Sequence, residues 1–565
     1  MKGIRKMSTG TLSTVYRPLL LCLLALPALG DDIIHDAEYY ILQSQHAEEW
    51  AEDDKAIDDR LAEIRSANGD KPPNIVYILL DDLGFGEIGS RELSVVRGYD
   101  TPNIAELARD GLSLQRMYTE PTCTPTRVAM MTGRYPSRTG TMEAKATVAG
   151  DGLHADEVTI AEVLREAGYF TSHVGKWHLG DIQEAFANEQ GFMHAEFPIH
   201  QQGQLAIMNV DAEMEDVVRG VDPSGADQKF TLDQTFVPNP GDLVTGVELR
   251  DGKLYEVDLE PGEQWTDAKY QEMNDRYQRN ALAQLRELAG QDKPFFLNYW
   301  PLLPSTFARS SISDFRTLNG GVWAEAIVQV DDWVGEIVDE IDRLGIAENT
   351  IVIVMGDNGP FLQYRGISGG DDRVYRGGKS EHLEGGVRVN AYVKWEGVIE
   401  PGSYAEDIFH VSDFYTTLSR IAGATDGIPT DRIIDGLDQT GVLLLGETHG
   451  RRDYVHIYEG PTLKSVVKNK YKMHLPQPGD NPIGAPIFDL YRDSREARPN
   501  ESIKYGVWAG GQFVAMIKRH KAFKQKYPDR EPGQDVPYGG IENLRPETRA
   551  MVEAFIASKP GQQAN

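Results

Sequence analysis

From Pro72 onward the chain alternates between short apolar segments and longer segments with helical spacing of apolar residues. The strand-like segments are NIVYILL, FTSHV, PFFLNYW and TIVIVM, and the helix-like segments cover residues 104–110, 159–167, 267–288 and 324–344. Alternation of strands and helices is typical of βαβ units, in which consecutive strands run parallel. The sequence therefore predicts an α/β fold with a large, mostly parallel sheet flanked by helices on both faces.

Other regions interrupt or follow this pattern. Turn motifs such as DPSG, NPGD, RDGK and EPGE concentrate in residues 201–262. They predict a turn-rich insertion of hairpins that covers the functional site of the main domain. From residue 451 the pattern changes to short strands and late helices. We therefore expect a main domain over residues 72–450 and a smaller C-terminal α+β subdomain over residues 451–565.

The N-terminal region has two parts. Residues 1–30 combine basic residues, the apolar run LLLCLLAL and small residues before Asp31, which is typical of a signal peptide. Neither this run nor any later segment reaches the ~20 apolar residues of a membrane-spanning helix. We therefore expect export to a periplasm or the outside, without stable membrane insertion. Residues 31–71 are strongly charged and predict a helical extension, with apolar residues at near-helical spacing at Trp50, Ile57, Leu61 and Ile64.

The charge and the cysteines narrow the possible functions. The formal net charge of −30 argues against nucleic-acid binding and against adhesion to anionic membranes, because both need a basic surface. Of the two cysteines, Cys22 lies within the signal peptide and would leave with it. The mature chain then keeps Cys123 alone and forms no internal disulfide.

Acidic residues follow two of the apolar strands. Asp81 and Asp82 come directly after NIVYILL, and Asp357 and Asn358 follow TIVIVM. Ligands of open α/β sheets bind beyond the carboxyl ends of the strands, so these side chains are expected to lie close together. One such pair is more typical of a strand-end turn, but two clusters of hard oxygen donors in one sheet indicate a site for Ca²⁺ or Mg²⁺ rather than zinc.

Basic residues occupy similar positions. Lys176 and His178 follow FTSHV, Lys379 and His382 lie in RGGKSEHLEGG, and Arg127 follows Cys123 at a distance of four positions. Singly, each is more typical of a surface charge or a capping group. Their grouping at strand ends in an acidic chain indicates a pocket that holds an anion beside the metal and stabilises charge in a transition state.

The lone cysteine is predicted to begin a helix. Pro125 suits a first helical turn, TRVAMMT continues it and Gly133 ends it. Cys123 would therefore lie where unpaired N–H groups and the helix dipole favour an anion. The residues alone leave open whether this cysteine is a buried, inert side chain or a nucleophile.

Several motifs of this chain, in this order, resemble those of one family. Cys123-Thr124-Pro125-Thr126-Arg127 followed by MMTGRYPSRTG is similar to the C-x-P-x-R signature of the type I, formylglycine-dependent sulfatases, which are arylsulfatase-like members of the alkaline-phosphatase-like superfamily. NIVYILLDDLGFGEIG, GYFTSHVGKWHLG, MGDNGP, RGGKSEHLEGGVRV and IFDLYRDSRE also resemble hallmarks of this family. The resemblance covers the chain from about residue 72 to its end, and it implies an alkaline-phosphatase-like fold and a catalytic sulfatase domain over residues 72–450.

The resemblance implies a specific chemistry at Cys123. A formylglycine-generating enzyme would convert this residue to Cα-formylglycine during export, and the aldehyde hydrate would attack the sulfur of a sulfate monoester. By the same resemblance Ca²⁺ binds Asp81, Asp82, Asp357, Asn358 and the modified residue 123.

The basic residues also acquire roles from the resemblance. Arg127 and His178 would orient the hydrate, and His178 would help to release sulfate from the sulfated intermediate. Lys176 and Lys379 would bind sulfate oxygens, and one of them would assist the leaving group. The implied reaction converts an aryl or carbohydrate sulfate to an alcohol and inorganic sulfate.

One position departs from the family pattern. Many sulfatases place a histidine in a P-H-x-P segment after this strand, whereas this chain has Pro301-Leu302-Leu303-Pro304. Leu302 donates no proton, so either Lys379, His382 or His200 acts as the general acid, or the leaving group needs little help. The alternatives to a sulfatase are a formylglycine-dependent phosphonate or phosphate monoester hydrolase and a non-catalytic binder of sulfated glycans.

Overall fold

The computed structural model describes residues 33–143, 150–198, 247–256, 267–304, 321–361, 374–476 and 485–533, with a few residues between 543 and 553. Its helices are α1 Ala37–Ala67, α2 Arg91–Arg97, α3 Pro102–Asp110, α4 Cys123–Thr132, α5 Pro136–Thr139, α6 Ile160–Glu166, α7 Asp267–Ala289, α8 Gly321–Leu344, α9 Glu384–Val387, α10 Asp413–Ala422, α11 Thr440–Leu444 and α12 Pro499–Lys526. The helices that the sequence predicts between residues 104 and 344 are therefore confirmed.

The strands are β1 Asn74–Leu80, β2 Leu112–Tyr118, β3 Phe170–Gly175, β4 His194–Pro198, β5 Val247–Arg250, β6 Lys253–Glu256, β7 Phe295–Trp300, β8 Thr350–Gly356, β9 Arg388–Val389, β10 Ala391–Lys394, β11 Ser403–His410, β12 Tyr454–Glu459, β13 Thr462–Lys468, β14 Tyr471–His474 and β15 Ile487–Asp489. The large sheet has the order β11-β2-β10-β8-β1-β7-β3-β4-β5-β6, and β9 pairs with β2. Its centre, from β8 through β1, β7 and β3 to β4, is parallel, whereas antiparallel pairs lie towards its edges.

Strand β1 lies at the centre of this sheet and is buried on both faces. Ile75, Tyr77 and Leu79 pack into one apolar cluster, which includes Val128 of α4. Val76, Ile78 and Leu80 pack into a second cluster on the opposite face, with residues of α3, α7 and α8. Successive side chains of a strand point to opposite faces, so a strand between two helical layers needs apolar residues at every position. This is why the residues that follow Asn74 in NIVYILL are apolar without alternation.

A second, smaller sheet lies in the C-terminal region, where the sequence predicts a smaller α+β subdomain. Strands β12, β13, β14 and β15 are antiparallel in that order, and α12 packs against β15. Most of the predicted insertion over residues 201–262 lies outside the described residues. Its described part forms the hairpin β5–β6 around Asp251 and Gly252, which have the positive φ angles of a tight two-residue turn.

The N-terminal helix α1 packs against the body of the protein. Trp50, Ile57, Leu61 and Ile64 are all buried, as the spacing predicts. Just before the helix, Asp36 caps it by accepting a hydrogen bond from the backbone N–H of Ala37 at 2.5 Å. Within the described residues, no helix is both long and apolar enough to cross a membrane.

Helix α4 ends where the sequence predicts. Gly133 follows it with φ of 67°, and its N–H donates to the carbonyl of Ala129 at 2.9 Å. A Cβ at Gly133 would lie 2.5 Å from the Tyr415 ring. Gly345 follows α8 with φ of 68°, but a Cβ there would meet nothing within 4 Å. The two glycines therefore share a backbone conformation and differ in the space around them.

We expect Gly345→Ala to lower the free energy of unfolding by about 1 kcal/mol, the cost of a left-handed alanine. Gly133→Ala should cost about 3 kcal/mol, because overpacking against Tyr415 adds to the same backbone strain. Urea unfolding of both variants measures the difference. Equal losses would show that the contact with Tyr415 does not limit this position.

Candidate active site

The carboxyl ends of β1 and β8 bring together the acidic residues that the sequence singles out. The two strands are parallel neighbours, with Leu80 opposite Gly356, so Asp81 and Asp357 follow them at the same level of the sheet. The backbone N–H of Asp82 donates to Asp357 Oδ1 at 2.9 Å, and Asp82 has a positive φ of 58°. Both pairs of residues, including Asn358, are completely buried.

Cys123 joins this group from the first position of α4. One ligand atom of each of Asp81, Asp82, Asp357 and Cys123 lies within 4.8 Å of the others. The Cys123 Sγ is 3.7 Å from Asp82 Oδ1. The next residue, Thr124, donates through Oγ1 to the carbonyl of His178 at 2.9 Å, which fixes the beginning of the helix against the segment that follows β3.

Arg127 crosses the floor of the site. Its Nη2 lies 2.9 Å from Asp357 Oδ2 and 3.3 Å from Asp81 Oδ1, and Nη1 donates to the carbonyl of Lys176 at 3.2 Å. The guanidinium also lies over the ring of Trp300, 4.7 Å from its centroid. A buried guanidinium held by two carboxylates and an aromatic face has few alternative orientations, so Arg127 positions both acids.

Two lysines complete the charged group. Lys176 Nζ lies 2.5 Å from Asp81 Oδ1. Lys379 Nζ lies 2.7 Å from Asp82 Oδ1 and 3.0 Å from Cys123 Sγ. With Arg127, three cationic side chains therefore face three carboxylates around the sulfur atom.

The predicted histidines are not all in this group. His178 is buried next to it, with a positive φ of 62°, in the loop that also supplies Lys176. His382 instead bonds to Glu459 of the smaller sheet, with Nδ1 at 2.6 Å from Oε1. Leu302 packs in the apolar core. His200 lies outside the described residues.

Comparisons with known proteins agree with this geometry. A sequence model of the family described as Sulfatase matches residues 73–424. The chain belongs to the sulfatase family. It is a sulfuric ester hydrolase of the arylsulfatase-like kind, and its fold is the mixed α/β fold of solved sulfatases, as the sequence predicts.

Three relatives illustrate the similarity. The sulfatase is 28% identical to steryl-sulfatase of Rattus norvegicus, over 76% of this chain and 85% of the relative. It is 32% identical to arylsulfatase A of Homo sapiens, over 72% of this chain and 75% of the relative. The crystal structure of the PsFucS1 sulfatase from Pseudoalteromonas sp. superposes with a TM-score of 0.69 at 26% identity, covering 85% of this chain and 96% of that one.

The carboxylates of the sulfatase differ in acidity because of their neighbours. Burial opposes the charged form of Asp81, but the charges of Lys176, Lys379 and Arg127 outweigh it and hold the pKa of Asp81 well below its ordinary value. Burial and the charge of Asp81 raise the pKa of Asp357 above its ordinary value. Asp81 is therefore the stronger acid of the two.

Cys123 is poorly placed to act as a thiolate. Burial, followed by the charges of Asp357 and Asp81, raises the pKa of its thiol well above the ordinary value. The nearby lysines lower it, but less strongly. Burial and the neighbouring acids therefore disfavour the thiolate of an unmodified Cys123, even with Lys379 Nζ 3.0 Å from its sulfur.

The donor set fits a hard divalent cation. Three buried carboxylates converge, and Asn358 directs its Nδ2 to Asp82 Oδ1 and to the carbonyl of Gly359, both at 2.8 Å. The Asn358 Oδ1 is buried without a hydrogen-bond partner within the described part of the chain. An oxygen atom left in this way next to carboxylates matches the ligand preference of Ca²⁺ or Mg²⁺.

Sequence reasoning missed two supporting residues. Trp300 is the last residue of β7 and lies under Arg127, and its place at the carboxyl end of a central strand was a usable signal. His173 lies behind it, with Nδ1 2.9 Å from Asn298 Nδ2 and Nε2 3.2 Å from the Gly175 carbonyl. Nothing in the sequence distinguishes this buried, hydrogen-bonded histidine from a reactive one.

In metal-free protein, Arg127→Met should lower the free energy of unfolding by about 3–5 kcal/mol, because it leaves buried carboxylates without their counter-charge. Asp357→Asn removes one of those charges and should cost much less. The double variant should recover part of the loss, with an interaction energy of about 1–3 kcal/mol measured by urea unfolding. Strictly additive losses would contradict a direct pairing of Arg127 with Asp357.

Proposed function

We propose that this sulfatase is exported and hydrolyses aryl or carbohydrate sulfate monoesters, with formylglycine hydrate at position 123 as the nucleophile and Ca²⁺ as the metal. One observation carries the proposal: Cys123 begins α4 within 4.8 Å of three buried carboxylates and 3.0 Å from Lys379 Nζ. The relatives named for sulfate-ester hydrolysis support the same reaction class. Export rests on the signal-like residues 1–30, which lie outside the described residues.

Charge balance explains the need for a metal. The carboxylates of Asp81, Asp82 and Asp357 are matched in number by the cations of Arg127, Lys176 and Lys379. Without a further cation the pocket has no net attraction for the single negative charge of a sulfate monoester. Ca²⁺, held by the three carboxylates and Asn358 Oδ1, would supply that attraction and polarise a sulfate oxygen.

The chain's own residues would then orient the reacting groups. Lys379 Nζ lies 3.0 Å from the sulfur atom that marks the position of the nucleophile, so it is in reach of both the nucleophile and a sulfate oxygen. Lys176 would bind another sulfate oxygen. Arg127 would fix the hydrate through the carboxylates that it holds, and His178 would accept the hydrate proton that must leave when sulfate is released.

Burial of residue 123 supports its modification rather than its use as a thiol. Cys123 is completely buried, and its thiol pKa is raised by that burial. A hydrated aldehyde is neutral, so burial does not disfavour it as burial disfavours a thiolate. A formylglycine-generating enzyme would therefore act on the segment around Cys123 before the pocket closes over it.

Protein from the native host should give a proteolytic peptide around residue 123 that is about 18 Da lighter than the unmodified sequence, the difference between cysteine and formylglycine. Cys123→Ala should abolish sulfatase activity with little change in stability. Phosphate monoesters, assayed in parallel, should react much more slowly than matching sulfate esters. An active native enzyme with an unmodified thiol would contradict the proposed nucleophile.

Removal of the metal should destabilise the protein. Saturation at about 100 times the dissociation constant stabilises a folded site by about 2.7 kcal/mol, so a calcium chelator should lower the melting temperature of the wild type. Asp82→Asn should weaken binding and reduce this shift. Asp292→Asn, at an exposed side chain that contacts Lys71, is the matched control and should keep the wild-type shift. The same shift in all three proteins would exclude Asp82 as a metal ligand.

A further inference from the structure

The proton donor for the leaving group is the unassigned part of this site. Where the family resemblance places a histidine, Leu302 is 1% exposed and packs in the apolar core with Leu303. A hydrocarbon side chain in that position gives no proton. The alkoxide of an alcohol or sugar is a poor leaving group unless it is protonated as the sulfur–oxygen bond breaks.

The segment after Lys379 forms another wall of the same pocket. Lys379 Nζ touches Cys123 Sγ, and the backbone N–H of Ser380 donates to the carbonyl of Pro121 at 2.8 Å, two residues before the cysteine. His382 lies two positions further along this segment. Its side chain is 24% exposed, so the imidazole is in contact with solvent. It is three positions from Lys379, whose Nζ reaches the nucleophile position.

Glu459, at the end of β12, fixes this imidazole. Its Oε1 accepts the backbone N–H of His382 at 2.9 Å and bonds to Nδ1 at 2.6 Å. Burial disfavours the charged carboxylate, but the hydrogen bonds from His382 outweigh it and lower the pKa of Glu459 to about 2. An ionised carboxylate at Nδ1 keeps the proton on that nitrogen and leaves Nε2 for a second partner.

The ring is also restrained from its side. His474 packs edge-on against His382 with ring centroids 4.8 Å apart, and Glu496 holds His474 through Nε2 at 2.6 Å. Both restraining residues belong to, or follow, the smaller sheet. The smaller sheet therefore determines the orientation of a side chain in the segment that carries Lys379.

We propose that His382 donates the leaving-group proton and that Glu459 is its positioning residue; this inference rests on the proposed sulfatase reaction. As sulfur bonds to the nucleophile at position 123, the sulfur–oxygen bond to the alcohol breaks and its electron pair stays on that oxygen. The attacking hydroxyl of the hydrate releases its proton to solvent, and the Nε2 proton of a doubly protonated His382 passes to the leaving oxygen. The resulting imidazole, still protonated at Nδ1 towards Glu459, then takes up a proton from solvent. The site would thus serve esters of weakly acidic alcohols, the class that includes carbohydrate sulfates.

A series of aryl sulfates with increasingly basic leaving groups tests this role in the matured, metal-loaded enzyme. With 4-nitrophenyl sulfate, whose leaving group needs little protonation, His382→Gln should stay within about 3-fold of the wild type in kcat. With phenyl sulfate and 4-methoxyphenyl sulfate the loss should grow to about 100-fold, with little change in KM. Glu459→Gln keeps the side-chain shape and should give a smaller loss with the same dependence on the leaving group.

His449→Gln is the matched control, because the partly exposed His449 forms a comparable pair with Asp53, Nδ1 to Oδ1 at 2.9 Å, outside the catalytic group. It should behave as the wild type with every ester. An equal loss of activity for all esters in His382→Gln, or no loss, would overturn the assignment. A wild-type enzyme that hydrolyses none of these sulfates would instead overturn the proposed function, and this inference with it.

Discussion

Mutual repulsion among three buried carboxylates is the constraint on which the rest of the site depends. Asp81, Asp82 and Asp357 are fully buried within a few ångströms of one another, where water cannot screen them. Lys176, Lys379 and Arg127 compensate this charge, and Arg127 alone of the three reaches two of the acids and is itself held against Trp300. Helix α4 carries both this arginine and residue 123, so one helix supplies a counter-charge to the acids and sets the position of the nucleophile.

The sheet makes this concentration of charge possible. Parallel strands end at the same edge, and β1 and β8 remain in register to their last residues, so two acidic turns meet without any direct link in sequence. Both strands are buried along their whole length and are mostly apolar, because helices cover both faces. Burial of these strands stabilises the folded state and offsets the free-energy cost of burying charges at their ends. Functional sites commonly lower stability in this way, and the surrounding core compensates for it.

The sequence was most informative where a local rule determines the structure. The central strands, helix α4 with Gly133 at its end, and the acidic turns all follow from hydrophobic pattern, glycine conformation and the position of strand ends. The hydrogen bond between His382 and Glu459 could not be predicted in this way, because the two residues are 77 positions apart and meet through the packing of a second sheet. The same applies to Trp300 under Arg127. Pattern predicts which residues gather at an edge, whereas side-chain contacts between sheets depend on tertiary packing.

The N-terminal cap has a consequence for the order of events during synthesis. Asp36 lies just before α1, and its carboxylate bonds to Arg138 of α5 at 2.7 Å and to His520 of α12, 484 positions away. Glu38 is joined in the same way to Arg519. A chain that has emerged only as far as its large sheet has no partner from α12 for these buried acids. Asp36 and Glu38 therefore reach their full set of partners only when α12 has been made, so the N-terminal helix and α12 complete their contacts together, late in synthesis.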